Sequence, residues 1–261
     1  VKFSADSRKV VSSSLDTTIR IWDIELGQRL QKFRRQFAHV NVVKFSSRAN
    51  RIAVCSIDTI IGLWDVKSER ELMCFRGHEG SVLDVDFSSD DKYLVSGSKD
   101  NTMIIWNVDS GKAIKRIRHH SNFVHCVQFS PDNQFILSSS SDKTITVYDV
   151  KSEKVLKTFK GYSNHISCAR FSPDGRFVVA NINSGKELKK LEGHSHFVKD
   201  VRYFSGESIV SCSDRTIRLW DAKSGDAPQE FTVPEFICVD ISPDGSKIAF
   251  GCSDKTIRIC G

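Results

Sequence analysis

The chain has 261 residues, of which 39% are hydrophobic and 27% are charged, and this composition is typical of a globular protein. The length suits one large all-β domain or two domains of ordinary size. No apolar run approaches the ~20 residues that a membrane-spanning helix needs, and no charged-then-apolar leader opens the sequence, so we expect no membrane insertion.

The first strand-like pattern is already under way at the first residue, which is Val1 and not a methionine. We therefore expect the chain to be a fragment of a longer protein. The last strand-like pattern stops at Gly261.

One sequence frame returns from end to end. "VKFSADSRKVVSSSLDTTIRIWD" from Val1 aligns with "VDFSSDDKYLVSGSKDNTMIIWN" from Val85 and "VQFSPDNQFILSSSSDKTITVYD" from Val127. In each copy an aspartate stands six residues before a Trp-like position, and the pairs are Asp16 and Trp22, Asp58 and Trp64, Asp100 and Trp106, Asp142 and Tyr148, Asp214 and Trp220, and Asp254 and Cys260. Neighbouring intact copies are 42 residues apart, which predicts a repeat architecture.

Each unit reads as four short strands. In the third unit, "SVLDVDF", "KYLVSGS" and "TMIIWNV" are rich in β-branched and aromatic residues and are bounded by Asp, Gly and Ser. A more polar run, "KAIKRI", follows them. Four strands in about 42 residues predict the blade of a β-propeller.

These units resemble the WD40 family. The resemblance is carried by "RGH" at 76–78, "EGH" at 192–194 and the Trp-Asp pairs at 22–23, 64–65 and 220–221; Trp-Asn at 106–107, Tyr-Asp at 148–149 and Cys-Gly at 260–261 depart from it. It implies one all-β domain over 1–261, a seven-bladed propeller with four-stranded antiparallel blades. The expected repeats are 1–33, 34–75, 76–117, 118–159, 160–191, 192–231 and 232–261.

Blade five departs from this frame. The stretch "FVVANINSGKELKKL" at 177–191 joins a second-strand pattern directly to a fourth-strand pattern. Relative to blade three it lacks the ten residues equivalent to 97–106, which are the turn aspartate, the third strand and the Trp. We therefore predict that blade five and the terminal blade are incomplete in this sequence. We also predict that Ala180 and Asn181 are not neighbours in the native protein.

The resemblance further implies a buried polar network in blade three, formed by His78, Ser96, Asp100 and Trp106. A buried carboxylate needs donors, and the imidazole can bridge it to the serine hydroxyl. Other blades hold parts of this network at His120, Ser138, Asp142, His194, Asp214, Trp220, Asp16, Trp22, Asp58, Trp64 and Asp254. Gln36 and Tyr162 replace the histidine in blades two and five, and Val54 and Phe250 replace the serine in blades two and seven, so we expect blade three to be the best fixed.

A Ser, His and Asp set also suggests a hydrolase. The set recurs across blades, which a catalytic triad does not, and no G-x-S-x-G motif is present. No phosphate-binding glycine loop or metal-ligand spacing occurs either, so we expect no enzyme activity, no small-molecule substrate and no cofactor. His39, His125 and His165 are the remaining metal candidates, but blades diverge around a ring, so we expect no metal.

Partner binding in the WD40 family typically uses the rim where the turn after the second strand meets the start of the first strand. The resemblance places three sets of positions there: Leu15, Ile57, Lys99, Ser141, Ser213 and Ser253; Asn41, Leu83, His125, Ser167, Lys199 and Ile237; and His39, Ser81, Phe123, His165, Phe197 and Glu235. The strongest candidates are Leu15, Ile57, Lys99, Asn41, Leu83, Phe123, His125, Phe197 and Lys199. Apolar side chains beside two lysines favour a peptide or protein partner with apolar anchors and acidic or phosphorylated flanks.

Two functions stay open at this point. The first is a non-catalytic scaffold for protein–protein interactions in a multiprotein complex. The second is an RNA- or ribonucleoprotein-associated propeller, because the net charge is +6 and the fourth strands are lysine-rich at 112–116, 154–157 and 186–190. Lysine on an exposed edge strand also blocks edge-to-edge pairing, which explains the same pattern without RNA. The eight cysteines, none at CxxC spacing, favour a reducing compartment, the cytoplasm or nucleus.

Overall fold

The computed structural model describes residues 1–14, 16–34, 39–160, 165–180, 191–195, 198–203, 208–213, 216–227, 229–232, 236–252 and 254–261. Regular secondary structure in these ranges consists of β-strands, numbered β1 to β25. No helix with the length and apolar character needed to cross a membrane occurs among them.

The strands form antiparallel sheets in chain order, one for each repeat. Blade one contains β1 (Lys2–Phe3), β2 (Lys9–Ser13), β3 (Thr18–Asp23) and β4 (Arg29–Arg34). Blade two contains β5 (Val40–Phe45), β6 (Arg51–Ser56), β7 (Ile61–Asp65) and β8 (Glu71–Phe75). Blade three contains β9 (Val82–Phe87), β10 (Tyr93–Ser98), β11 (Met103–Asn107) and β12 (Ala113–Ile117). Blade four contains β13 (Val124–Phe129), β14 (Phe135–Ser140), β15 (Ile145–Asp149) and β16 (Lys154–Phe159).

The remaining blades have fewer described strands or shorter ones. Blade five contains β17 (Ala169–Phe171) and β18 (Val178–Ala180). Blade six contains β19 (Asp200–Tyr203), β20 (Ser208–Cys212), β21 (Thr216–Asp221) and β22 (Gln229–Thr232), and blade seven contains β23 (Phe236–Ile241), β24 (Ile248–Cys252) and β25 (Ile257–Cys260). Residues 181–190 lie outside the described ranges, so the predicted break between Ala180 and Asn181 stays a prediction.

The turn between the second and third strands of a blade is built around its aspartate. In blade three the Asp100 carboxylate accepts hydrogen bonds from the backbone N–H of Thr102 at 2.9 Å and from the Thr102 hydroxyl at 2.7 Å. The intervening Asn101 has a φ of 69°, in the left-handed region that asparagine tolerates. The carboxylate therefore holds a tight turn and aligns β10 with β11 in the register that pairs Leu94 with Trp106.

The hydrophobic core lies between neighbouring blades. One buried cluster joins Leu63 and Phe75 of blade two to Val85 and Trp106 of blade three. Further clusters join blade three to blade four and blade six to blade seven. Each blade therefore buries its apolar faces only when it is stacked against the next blade.

The first strands of the blades stand side by side around the central axis, and β1 packs against β23 to close the ring. The Phe3 N–H donates to the Asp240 carboxylate at 2.8 Å, and Lys2 Nζ lies 3.0 Å from the same side chain. The all-β propeller that the 42-residue repeat predicted is confirmed.

Charged side chains from the first strands meet at the axis, and we call them the axial cluster. Its ion pairs are Lys2 with Asp240 at 3.0 Å, Lys44 with Asp86 at 2.6 Å, Arg170 with Asp84 at 3.3 Å and Arg202 with Asp200 at 3.4 Å. The four cations balance the four carboxylates, which is how buried charges are normally accommodated.

Candidate partner-binding rim

The polar network of blade three is fully connected. His78 Nδ1 lies 2.7 Å from the Asp100 carboxylate, and His78 Nε2 lies 2.7 Å from the Ser96 hydroxyl. The Trp106 indole N–H donates to the same hydroxyl at 2.8 Å, and the Glu79 backbone N–H donates to Asp100 at 3.0 Å. Burial opposes ionisation of Asp100, but these hydrogen bonds outweigh it and hold the pKa of Asp100 well below its ordinary 3.8.

Blade four repeats the arrangement with one defect. His120 lies 2.8 Å from both the Asp142 carboxylate and the Ser138 hydroxyl. Burial lowers the pKa of His120, although Asp142 acts in the opposite direction. Tyr148 takes the place of the Trp, and its hydroxyl has no hydrogen-bond partner among the described residues.

Blade six also connects a histidine, a serine and a tryptophan, but its histidine bonds a threonine in place of the aspartate. His194 lies 2.9 Å from the Thr216 hydroxyl and 2.6 Å from the Ser211 hydroxyl, which also accepts from the Trp220 indole at 2.7 Å. Burial and the neighbouring Arg218 lower the pKa of His194 to about 4. The predicted Asp214 lies outside the described residues.

Blades one, two and seven keep only fragments of the network. The Trp22 indole donates to Ser12 at 2.9 Å, and Asp16 accepts from the Thr18 hydroxyl at 2.6 Å. Asp58 and Asp254 accept hydrogen bonds from a hydroxyl near their own turns. The Trp64 indole of blade two has no hydrogen-bond partner among the described residues, because Val54 stands where blade three has a serine.

Backbone hydrogen bonds bring the predicted rim positions together. The Lys99 N–H donates to the Ser81 carbonyl at 2.9 Å, and the Ser141 N–H donates to the Phe123 carbonyl at 2.9 Å. In blade two the corresponding bond joins Ile57 to His39 at 3.2 Å. The residue before the turn aspartate therefore lies beside the start of the first strand in three consecutive blades.

Side chains connect the rim from one blade to the next. Lys99 Nζ of blade three lies 5.8 Å from the ring centroid of Phe123 in blade four. Phe123 is 39% exposed. Lys99 is also exposed, so an apolar ring and a cation form one surface.

Two histidines continue this surface into blade five. The ring centroids of His125 and His165 are 6.0 Å apart, and His125 Nε2 lies 2.6 Å from the Ser141 hydroxyl. Burial lowers the pKa of His125, and the nearby His165 and Lys99 lower it further. We call Lys99, Phe123, His125, Ser141 and His165 the basic-aromatic rim.

The other predicted rim residues are more dispersed. Asn41 is exposed and donates from Nδ2 to the Val82 carbonyl at 2.8 Å, whereas Leu83 is half-buried. Ile57 is 47% exposed, and its carbonyl accepts from the Ser81 hydroxyl at 3.2 Å. Lys199 is half-buried in blade six. Leu15 and Phe197 lie outside the described residues.

No group of three or more His, Cys, Asp or Glu side chains in the described ranges is arranged to hold a metal ion. The Ser96 and His78 side chains of the network are enclosed in the blade, with Ser96 fully buried. The network is therefore placed to support the turns, and the exposed chemistry belongs to the basic-aromatic rim.

Comparison with known proteins agrees with this architecture. The profile of the family described as "WD40: WD domain, G-beta repeat" matches residues 1–23, 27–65, 69–107, 111–149, 153–181, 185–221 and 230–260. The chain is also similar to a Small ribosomal subunit protein RACK1 of Schizosaccharomyces pombe, at 42% identity over 53 residues. That match covers 20% of this chain and 17% of the relative. Since the profile matches cover most of its length, the chain belongs to the WD40 family.

Proposed function

We propose that this protein is a non-catalytic scaffold that mediates protein–protein interactions within a multiprotein complex. The observation that carries the proposal is the basic-aromatic rim, where the exposed Phe123 ring lies 5.8 Å from Lys99 Nζ. An exposed aromatic ring beside a cation is typical of the anchor positions of protein interfaces. WD40 propellers generally bind other proteins, and the rigid ring holds this surface in place.

The chemistry of the rim favours an acidic peptide with an apolar anchor. None of the described rim positions is an aspartate or glutamate, and Lys99 adds a positive charge. An aliphatic or aromatic anchor would pack on Phe123. A carboxylate or phosphate beside that anchor would be attracted to Lys99.

The buried state of the Ser, His and Asp sets supports the non-catalytic part of the proposal. Ser96 and Ser138 are fully buried and are bonded to His78 and His120, so neither hydroxyl is open to a substrate. All eight cysteines are thiols, which supports a reducing compartment, in the cytoplasm or nucleus.

The test compares two exposed phenylalanines. Phe123→Ala combined with Lys99→Glu alters the rim, and Phe231→Ala is the matched control because its ring is 43% exposed on the outer strand β22. Affinity purification with quantitative mass spectrometry is expected to lose partners for the rim variant and to keep them for the control. An unchanged partner list for the rim variant contradicts the proposal.

A ribonucleoprotein-associated role is the second candidate. The net charge of +6 and the match to a Small ribosomal subunit protein favour it. Against it, basic side chains of the fourth strands are engaged within the protein: Lys115 pairs with Glu153, and Arg116 lies 3.2 Å from the Thr102 hydroxyl. RNA binding with a steep salt dependence supports this role, and no binding at low salt ends it.

Blade five, we propose, lacks its third strand in this sequence. The family matches at 27–65, 69–107 and 111–149 are each 39 residues long, whereas the match at 153–181 is 29 residues long. This ten-residue deficit equals the one read from the sequence and supports a missing third strand after Ala180. Sequencing the transcript across codons 180 and 181 tests it: an inserted segment is expected, and uninterrupted codons contradict it.

A further inference from the structure

Two cysteines face each other across the boundary between blades four and five. Cys126 and Cys168 are 42 residues apart, so they occupy equivalent positions in the repeat. Their side chains are 2% and 3% exposed and belong to one buried cluster. The structure therefore packs two thiols together without joining them, since all eight cysteines are thiols.

The two sulfurs have different neighbours. The Arg170 guanidinium donates to Cys126 Sγ, and Cys126 Sγ donates to the Ala169 carbonyl at 3.1 Å. Cys168 Sγ instead donates to the Asp200 carboxylate at 3.0 Å. The cation beside Cys126 favours its thiolate, which is the nucleophilic form of cysteine, whereas Cys168 has a carboxylate beside it.

The electrostatic environment supports this division. Burial opposes ionisation of Cys126, but the hydrogen bond with Cys168 and the charge of Arg170 outweigh it and lower the pKa of Cys126 from its ordinary 9.0. The same hydrogen bond raises the pKa of Cys168, and burial and the Asp200 carboxylate act in the same direction.

A solvent-open cavity lies beside Arg170, which contacts Cys126. It has a volume of about 230 Å³ and is lined by Arg170, Arg202 and Tyr203 among others. Arg170 lines the cavity and also contacts Cys126, so a small solute in the cavity is one side chain away from the sulfur. Hydrogen peroxide is not much larger than water, whose share of liquid volume is ~30 Å³, so the cavity admits it.

We propose that Cys126 is an oxidation site for hydrogen peroxide and that Cys168 is its resolving cysteine. The Cys126 thiolate attacks one peroxide oxygen, the O–O bond breaks, and the departing hydroxide takes up the proton released by the thiol and leaves as water. Cys126 is oxidised by two electrons to a sulfenic acid, and the peroxide is reduced.

The second step closes the disulfide. Asp200 holds the Cys168 thiol by a hydrogen bond, and Cys168 Sγ attacks Cys126 Sγ. The S–O bond of the sulfenic acid breaks, and the departing hydroxide takes the proton of the Cys168 thiol and leaves as a second water. Two thiols and one peroxide thus give one disulfide and two waters, and a thiol reductant reverses the linkage. The bond would tie blade four to blade five.

Cys238 provides a matched control because it occupies the same repeat position in blade seven, whereas the equivalent position in the neighbouring blade six is Asp200 and not a cysteine. Cys260 provides an exposure control because it is exposed. If exposure alone governed oxidation, Cys260 would react first.

The experiment exposes the reduced protein to hydrogen peroxide and quenches it with N-ethylmaleimide in denaturant. Trypsin places Cys126 in the peptide 119–143, Cys168 in 161–170 and Cys238 in 224–247, each with a single cysteine. Non-reducing mass spectrometry is expected to show 119–143 linked to 161–170, formed at least about tenfold faster than any oxidation of Cys238. In Cys168→Ser, dimedone is expected to label Cys126.

Two outcomes of this experiment would contradict the proposal. The proposal fails if Cys126 and Cys168 stay alkylated while Cys260 oxidises, or if Cys238 oxidises as fast as Cys126. Since Cys168→Ser removes a buried hydrogen bond, the wild-type peptide map decides the question even if that variant does not fold.

Discussion

Blades two and three share the same strand pattern but differ in what lies at their centre. In blade three, His78, Ser96, Asp100 and Trp106 form a connected network, and the Trp106 indole N–H is bonded at 2.8 Å. In blade two, Val54 replaces the serine, and the Trp64 indole has no hydrogen-bond partner among the described residues. Both tryptophans pack edge-on against a phenylalanine of the fourth strand, Trp64 against Phe33 at 5.9 Å and Trp106 against Phe75 at 5.7 Å between ring centroids.

This difference shows that the polar network is not needed to form a blade. Both blades make complete four-stranded sheets, because the apolar clusters between blades drive the stacking. We infer that the network fixes the turn and the tryptophan rotamer, and so it contributes specificity more than sheet formation.

The largest expected effect is the removal of the bonded tryptophan. Trp106→Ala deletes a side chain that is 1% exposed, and we expect it to lower the free energy of unfolding by about 3–5 kcal/mol. Trp64→Ala should cost less, because Trp64 is half-buried and makes no indole hydrogen bond. Urea titration measures both, and equal losses would contradict the comparison.

Next in size is the loss of the shared hydroxyl. Ser96→Ala leaves His78 and the Trp106 indole without their common partner, and we expect a cost of about 1–3 kcal/mol in the free energy of unfolding. The matched substitution in blade two is Val54→Ala, which removes only apolar packing. A double-mutant cycle of Ser96→Ala with His78→Ala is expected to be non-additive, and strict additivity would refute the network.

The third prediction concerns pH and contrasts blade six with blade three. The pKa of His194 falls from 6.5 to about 4 in the folded state, so the unfolded chain binds a proton first. The neutral His194 therefore contributes to the free energy of unfolding above pH 6.5, and this contribution is lost as the pH falls from 6.5 towards 4. We expect the loss to be about 1 kcal/mol, because the side chain is half-buried and its charge is partly screened by solvent. The Asp100 contribution, by contrast, is lost only below its ordinary 3.8.

The control is His194→Gln, measured beside the wild type by urea denaturation between pH 7.5 and 4.5. The stability advantage of the wild type should narrow as the pH falls through this window. Parallel curves would mean that His194 does not titrate in this way.

The smallest expected effect comes from giving the Trp64 indole of blade two a hydrogen-bond acceptor. Val54→Ser offers the Trp64 indole an acceptor worth about 1 kcal/mol but removes two buried methyl groups of similar worth. We expect a net change below about 1 kcal/mol, measured by thermal unfolding. A loss as large as that of Ser96→Ala would show that the two positions are not equivalent.

The sequence predicted the fold because the repeat is unambiguous: six aspartates at fixed spacing before a Trp-like residue define the blades. It also identified Asp100 as a turn residue whose carboxylate needs donors, and the Thr102 N–H is one of them. It missed the axial cluster, in which three of the four ion pairs join residues far apart in sequence. Arg170 and Asp84 are 86 residues apart, and only closure of the ring brings them together.

The sequence also did not predict the conformations of several side chains. The lysine-rich fourth strands predicted an exposed basic stripe, yet Arg116 turns back to bond the Gly77 carbonyl and the Thr102 hydroxyl. In the same way, the substitution of Tyr148 for Trp is visible in the sequence, but the loss of its hydrogen bond is not. The contacts of a long side chain depend on packing that a single-sequence pattern does not specify.

The hydrogen bonds between first strands give the ring an internal order. The Phe129 N–H donates a hydrogen bond to the Asp86 carboxylate of the preceding blade at 2.9 Å. In the same way, the Phe171 N–H donates to the Gln128 amide oxygen at 2.8 Å. Where blade one meets blade seven, the Phe3 N–H likewise donates to the Asp240 carboxylate of the preceding blade. At these three junctions the accepting side chain is an aspartate or a glutamine, so the acceptors differ in charge. Exchanging blade four with blade five would preserve the strands of each sheet but would present a different acceptor to the following blade, so these bonds favour the native order of the blades.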